Sequence, residues 1–216
     1  MFWENAANNI DANIFIIDGV DKYTFEEIFL LADEAYKDIP SRSIVLVESK
    51  RDLGTVIAYL GALRKQAVPL LIDANSDTTM LDKLAKDYKA DFIFSINDRS
   101  IENCLPMRCF QDRFISRRVG DFGENPFTQL ALLIPTSGST GDAKCVRTSY
   151  KSLNEVTYAV LRYMPMDATR VSISSLQLHY TYGLSVLNLA IASRSKFVLT
   201  SHSWIERDFW SLVERC

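Results

Sequence analysis

The sequence predicts an α/β protein with largely parallel sheets flanked by helices. Short apolar runs alternate along the chain with longer segments whose apolar residues recur at helical spacing. Such alternation is typical of β-α-β units, in which each helix crosses over a parallel sheet. The predicted strands are 43–48, 68–72, 91–94, 129–134, 170–174 and 196–200.

Capping residues mark the starts of three predicted helices. Thr24 and Glu27 have the spacing of a capping box, Asp52 precedes a second helix, and Ser149 precedes the helix 150–163. Further helices are expected at 79–88, 184–192 and 204–214. In 150–163 the predicted buried residues are Leu153, Val156, Val160 and Leu161.

Residues 97–128 lack this regularity, because Asp, Asn, Gly and Pro are scattered through them. We expect a linker-like excursion with one or two short strands, and a possible subdivision of the chain near 97–128.

A loop rich in glycine and hydroxyl groups follows the apolar run 130–134. Its candidate ligands for an anion are Thr136, Ser137, Gly138, Ser139, Thr140, Gly141 and Lys144. Glycine permits close backbone approach, turn N–H groups form anion-binding concavities, and lysine adds a positive charge. The loop is not a Walker P-loop, because Ala143 and Cys145 stand where that motif needs glycine and a hydroxyl. An ordinary turn is the alternative interpretation.

This loop resembles the phosphate-binding signature of the acyl-adenylate-forming enzymes, the AMP-dependent synthetase and ligase family. The resemblance implies that residues 136–141 and Lys144 hold ATP phosphates, that Lys144 is catalytic, and that Thr140 contacts a phosphate or Mg²⁺. The other metal ligands stay unknown. Ala143 replaces the usual proline, and Cys145 replaces a usual glycine, so it would restrict the backbone there.

A second stretch, 176–185, resembles the family's next motif, in which histidine and aromatic residues precede Gly-Leu and a helix. The resemblance implies that His179, Tyr180 and Gly183 line the acyl-substrate pocket. The alternative is that His179 is a structural hydrogen-bonding residue and the helix is simple core. His179 has no acidic neighbour in sequence. We expect both motifs to lie at strand ends and to face one crevice. Arg194 and Ser195 replace a usual Gly-Ala pair.

Composition excludes several other classes of protein. The chain has 216 residues and a net charge of −3, and therefore no evident basic face for nucleic acid. No apolar run reaches the roughly 18 residues of a membrane helix. Four cysteines show no Cys-x-x-Cys pair and there are two histidines, which disfavours zinc and favours a reduced, cytoplasmic protein.

The resemblance implies ATP-dependent activation of a carboxylate as acyl-AMP, followed by transfer to a thiol, most often of coenzyme A, with Mg²⁺ required. It covers residues 1–216 as the N-terminal, AMP-binding part of such an enzyme. The family's aromatic-Gly-x-Thr-Glu motif, ribose-binding aspartate and C-terminal domain with a catalytic lysine have no counterpart in this sequence. The alternative is a non-catalytic fragment or nucleotide-binding remnant with an interaction role. We also expect an apolar surface that favours self-association.

Overall fold

The computed structural model describes residues 1–8, 13–98, 101–120, 126–136 and 144–216, and within these ranges it contains eleven strands and seven helices. The strands are β1 (Ile14–Asp18), β2 (Asp21–Thr24), β3 (Ile44–Ser49), β4 (Val68–Asp73), β5 (Phe92–Ser95), β6 (Cys104–Phe110), β7 (Arg113–Arg118), β8 (Leu130–Pro135), β9 (Cys145–Ser149), β10 (Val171–Ile173) and β11 (Lys196–Leu199). The helices are α1 (Phe2–Asn8), α2 (Phe25–Ala35), α3 (Leu53–Lys65), α4 (Thr78–Asp87), α5 (Tyr150–Tyr163), α6 (Thr181–Ser193) and α7 (Arg207–Val213).

The larger sheet has seven strands in the order β6-β7-β5-β3-β4-β8-β9. Its four central strands, β5, β3, β4 and β8, are parallel. The strands added at both edges are antiparallel: β7 pairs with β5, β6 with β7, and β9 with β8. Crossover helices α3 and α4 connect the parallel strands, as the alternation in the sequence predicted.

The smaller sheet has the order β10-β11-β1-β2 and combines the two ends of the chain. Strands β10, β11 and β1 are parallel, and β2 returns antiparallel to β1. One apolar cluster includes residues of both sheets and of helices α1, α2, α3 and α6, so the two sheets share a core. A second cluster covers the other face of the larger sheet beneath α4.

The predicted helix starts are confirmed. Thr24 and Glu27 form the reciprocal capping box, Asp52 accepts from the Thr55 N–H at 2.9 Å, and Ser149 accepts from the Ser152 N–H at 3.0 Å. These caps satisfy N–H groups that have no partner within their own helix.

Of the four residues predicted to be buried in α5, only Leu153 is buried; Val160 and Leu161 are half-buried, and Val156 is 54% exposed. The second buried residue, one turn after Leu153, is Thr157. Thr157 can be buried because its hydroxyl donates to the Leu153 carbonyl at 2.8 Å. Helix 204–214 is also shorter than predicted, since α7 begins at Arg207.

The irregular stretch 97–128 contains two strands, β6 and β7, which form a hairpin on the edge of the larger sheet. One or two short strands were predicted there. Their place in the larger sheet, whose other strands come before and after them in sequence, was not predicted. The subdivision near 97–128 stays a prediction.

Two helices end at non-glycine residues in the left-handed conformation, Gln66 after α3 and Arg194 after α6, with φ of 58° and 59°. A side chain is strained in this conformation, and glycine is usual there. Gln66 is exposed, whereas the Arg194 guanidinium donates to the Ala6 carbonyl at 2.9 Å and lies 4.7 Å from the Phe25 ring centroid.

We expect Gln66→Gly to raise the free energy of unfolding by about 1 kcal/mol, because it removes the left-handed strain and retains the backbone hydrogen bonds. Arg194→Gly is the matched control and should give no such gain, because its contacts to Ala6 and Phe25 are lost. Urea unfolding of both variants measures the difference. Equal gains in both variants would contradict the interpretation.

Candidate functional site

The site lies at the carboxyl edge of the larger sheet, where β4 and β8 end side by side. These parallel strands pair at Leu70 and Leu133. Asp73 and Thr136 each follow this pair by three residues, so both lie at the same edge. Ligands of open α/β sheets bind outside the carboxyl ends of the strands. The edge formed by Asp73 and Thr136 is therefore where a ligand is expected.

The two ends of the glycine- and hydroxyl-rich loop are tied together. The Thr136 N–H and hydroxyl donate to the Lys144 carbonyl at 2.8 and 3.0 Å. Both residues are exposed. Ser137, Gly138, Ser139, Thr140 and Gly141 lie outside the described residues. The loop joins β8 to β9, and the hydrogen bonds from Thr136 to Lys144 close its base.

Cys145, which occupies a usual glycine position, does not need glycine's conformational freedom. It is the first residue of β9, pairs with Pro135 and is absent from the described residues with positive φ. Its N–H donates to the Tyr88 hydroxyl at 2.6 Å. The expectation that Cys145 restricts the backbone is therefore corrected: an extended strand residue takes any side chain here.

His179 lies buried beside the end of β4. It is 6% exposed, its Nε2 is 3.9 Å from Oδ2 of Asp73, and its ring centroid is 4.3 Å from that of Tyr180. Neither ring nitrogen has a hydrogen-bond partner among the described residues. Burial lowers the pKa of His179, and Asp73 opposes that shift.

Asp73 is the residue that the sequence interpretation missed. No acidic residue is near His179 in sequence, but the fold supplies one from a different strand. The carboxylate also accepts the Asn75 N–H at 2.9 Å, and the side chain is 42% exposed. An aspartate ending a buried parallel strand was the available signal, because such positions line the ligand edge.

Tyr180 and Gly183 have different environments. Tyr180 is 54% exposed and precedes α6, whereas Gly183 is buried in the first turn of α6. A Cβ atom at Gly183 would lie 2.3 Å from the Gln177 carbonyl oxygen and 2.9 Å from that of Leu176. Gly183 therefore lets α6 approach the backbone of the His179 segment, which we define as residues 174–180.

The described residues include no group of three or more His, Cys, Asp or Glu side chains placed to hold a metal ion. Among the same residues, no helix is both long enough and apolar enough to cross a membrane.

Comparison with known proteins identifies the family. A family model described as AMP-binding enzyme matches residues 2–216. The chain belongs to the AMP-binding enzyme family. Malformin synthetase mlfA from Aspergillus brasiliensis is 26% identical over 188 residues, which are 81% of this chain and 4% of that protein.

Solved structures share the AMP-binding fold. The o-succinylbenzoate coenzyme A synthetase MenE from Bacillus subtilis, in complex with AMP, matches with a TM-score of 0.80 at 15% identity, over 100% of this chain and 59% of that one. Apo MatB from Rhodopseudomonas palustris gives 0.75 at 15% identity, over 100% and 48%. The chain thus spans less than two thirds of the proteins it matches. The α/β class and the resemblance to adenylate-forming enzymes are confirmed.

We expect His179 to titrate below 6.5, its ordinary pKa. Because the folded pKa is lowered, the unfolded chain binds more protons as the pH falls. The stability contributed by neutral His179 is complete above pH 6.5 and is lost as the pH falls from 6.5 through the folded pKa. Proton NMR titration measures this directly, and His179→Gln should lose less stability on acidification. A pKa at or above 6.5 would contradict the burial argument.

We expect Gly183→Ala to lower the free energy of unfolding by about 1–3 kcal/mol, because the new methyl group meets backbone that cannot move away. This cost exceeds the gain in helix propensity, which is about 1 kcal/mol. Thr181→Ala, at an exposed position of the same turn, is the control. Denaturant unfolding compares the two, and a stabilised Gly183→Ala variant would refute the proposed close packing.

Proposed function

We propose that this chain binds the phosphates of ATP and takes part in activating a carboxylate as acyl-AMP. The observation that carries the proposal is that the base of the phosphate-type loop, Thr136 and Lys144, lies at the same sheet edge as Asp73. The buried His179 lies 3.9 Å from Asp73, and its ring nitrogens make no hydrogen bond among the described residues. Family membership supports adenylate formation in general terms. The roles given below to individual residues are proposals.

In the proposed reaction a carboxylate oxygen attacks the α-phosphorus of ATP. The bond from this phosphorus to the oxygen that bridges it to the β-phosphorus breaks, and pyrophosphate leaves with the electron pair. Catalysis of such a step depends on positioning and on compensation of charge. Lys144 would place its ammonium group against the leaving pyrophosphate, and Thr136 would keep Lys144 in place through its carbonyl.

The remaining loop residues, Ser137, Gly138, Ser139, Thr140 and Gly141, would donate N–H and hydroxyl groups to the β- and γ-phosphates. Mg²⁺ would neutralise phosphate charge when bound. The proposed ligands of Mg²⁺ are phosphate oxygens and the Thr140 hydroxyl; among the described residues no group of three or more His, Cys, Asp or Glu side chains is placed to hold a metal ion.

The acyl group would lie on the other side of the edge, against His179, Tyr180 and the wall that begins at Gly183. A neutral imidazole with free nitrogens can accept or donate a hydrogen bond to a bound carboxylate. Transfer of the acyl group to coenzyme A is proposed because MenE is a coenzyme A synthetase. A cytoplasmic location is proposed on the basis of four free cysteines.

We expect Lys144→Ala to lower carboxylate-dependent ATP–pyrophosphate exchange, in a longer protein that contains this chain, by about 2–4 kcal/mol of transition-state stabilisation. Lys151→Ala is the matched control, because Lys151 is 78% exposed on α5 and pairs only with Glu155, at 3.8 Å, among the ion pairs of the described chain. Lys144→Ala should also weaken the binding of pyrophosphate by the 216-residue chain, and Lys151→Ala should not. Unchanged exchange would remove Lys144 from the mechanism.

We expect residues 1–216 alone to fold and to bind ATP, but not to form acyl-coenzyme A. The reason is the lack of the family's later motifs in this sequence, which leaves ribose and the acyl acceptor without their usual contacts. Steady-state assay with ATP, Mg²⁺, coenzyme A and a panel of carboxylates tests this. If longer proteins that contain this chain bind nucleotide but catalyse no ATP–pyrophosphate exchange, the non-catalytic alternative is favoured. Formation of acyl-coenzyme A by residues 1–216 alone would contradict the expectation.

Self-association is part of the same proposal. Exposed apolar side chains lie near α7, where Trp204, Ile205 and Trp210 are 60%, 74% and 53% exposed. An exposed apolar surface favours association. Sedimentation velocity should therefore show oligomers that Ile205→Glu reduces, and a monomeric parent chain would count against it.

A further inference from the structure

Arg51 connects loops of the two sheets at their carboxyl ends. It follows β3 of the larger sheet, and its guanidinium reaches the loops that follow β10 and β11 of the smaller sheet. Nη1 donates to the carbonyls of Ser174, Ser175 and His202 at 3.2, 3.3 and 2.9 Å, and Nη2 donates to the Ser201 carbonyl at 2.5 Å. One side chain thus ties two loops of one sheet to a turn of the other.

The backbone that carries Arg51 is itself held firmly. The Lys50 N–H donates to the Thr55 hydroxyl at 2.9 Å, and Asp52 caps α3 through the Thr55 N–H. Arg113, whose side chain is 2% exposed, donates to Asp52 at 2.7 Å. Arg51 therefore extends from a fixed turn, and its five N–H donors form a rigid planar fork.

Arg51 donates hydrogen bonds to the carbonyls of Ser174 and Ser175, the first two residues of the His179 segment. Within that segment, the Ser174 hydroxyl accepts the Thr200 N–H at 3.0 Å, and the Tyr180 N–H donates to the Gln177 carbonyl at 3.2 Å. The His179 ring makes no hydrogen bond within the described chain. Asp73 faces the ring at 3.9 Å without a hydrogen bond. The place of the ring is consequently set by the backbone of its segment and by packing, not by hydrogen bonds of the imidazole.

We infer that Arg51 is a positioning residue: by fixing the backbone of residues 174–180 to the turn after β3, it holds His179 at the edge where the carboxylate is proposed to bind. This inference rests on the proposed function for its consequence in catalysis. The geometry it describes does not involve ATP or substrate, and can be tested separately.

The alternative is that Arg51 only satisfies carbonyl groups and stabilises the fold as a whole. The two interpretations predict that replacing the Arg51 guanidinium destabilises different parts of the chain. A positioning residue affects the His179 segment selectively, whereas a general stabilising residue affects distant parts such as α4 equally.

The test is Arg51→Lys, which keeps the charge but replaces the planar fork by a single ammonium group. Because the charge is conserved, a change in the titration of His179 reports its position and not a lost cation. The matched control is Arg64→Lys, in which a surface ion pair to Asp33 with contacts of 2.7 and 2.6 Å is altered. Two readouts are taken on the 216-residue chain: the imidazole pKa of His179 by NMR and amide hydrogen exchange.

The chain has two histidines, so His202→Gln assigns the resonances. In Arg51→Lys we expect the pKa of His179 to move up towards 6.5 and amide exchange at 178–180 to accelerate about tenfold, with α4 unchanged. Arg64→Lys should show neither effect. Unchanged values in Arg51→Lys overturn the inference, and so does equal acceleration in α4 and at 178–180. The same exchange comparison decides the case if the variant is destabilised.

A kinetic arm separates this inference from the proposed function. In an active longer protein, Arg51→Lys should raise the KM for the carboxylate about tenfold while the KM for ATP stays constant. An equal rise in both values overturns the positioning role. If Lys144→Ala leaves exchange unchanged, the proposed function fails, but the NMR and exchange results on Arg51 remain valid as a test of the geometry.

Discussion

The ion pair between the buried Arg113 and the partly exposed Asp52 fixes the turn from which the site is built. Arg113 begins β7, and Asp52 caps α3 directly after β3, so the pair ties the edge hairpin to the centre of the larger sheet. Gly54 leaves room for it, since a Cβ atom there would lie 2.8 Å from the Arg113 guanidinium carbon. Desolvation of a buried charge such as the Arg113 guanidinium largely offsets the attraction to its partner. We therefore interpret it as specifying the turn more than as adding stability.

The two sheets contribute different sides of the candidate site. The larger sheet ends at Asp73 and at the loop base formed by Thr136, and the smaller sheet leads into the segment that carries His179. A shared apolar cluster brings the sheets together, but apolar packing is non-directional and does not set the position of a loop to a fraction of an ångström. Hydrogen bonds of defined direction do so, and Arg51 provides four of them between the turn and the loops.

The sequence predicted those features whose residues are neighbours along the chain, and missed those that depend on distant segments. The caps at Thr24, Asp52 and Ser149 were predictable because cap and helix are neighbours in sequence. The edge strands β6, β7 and β9 were not predicted with their pairing, because edge residues alternate irregularly between exposure and burial and depend on a distant partner. The approach of Asp73 to His179 was unpredictable for the same reason: it arises from two segments that only the sheet brings together.

The two departures from glycine have different physical meanings. Cys145 lies in an extended strand with its N–H held by Tyr88, so no conformation reserved for glycine is needed there. Arg194 does take the left-handed conformation, at a cost of about 1–2 kcal/mol for a residue with a side chain. Its contacts with Ala6 and Phe25 offset that cost. A departure from a family motif therefore weakens a functional assignment only where the backbone requires the missing residue, and at the base of the phosphate-type loop it does not.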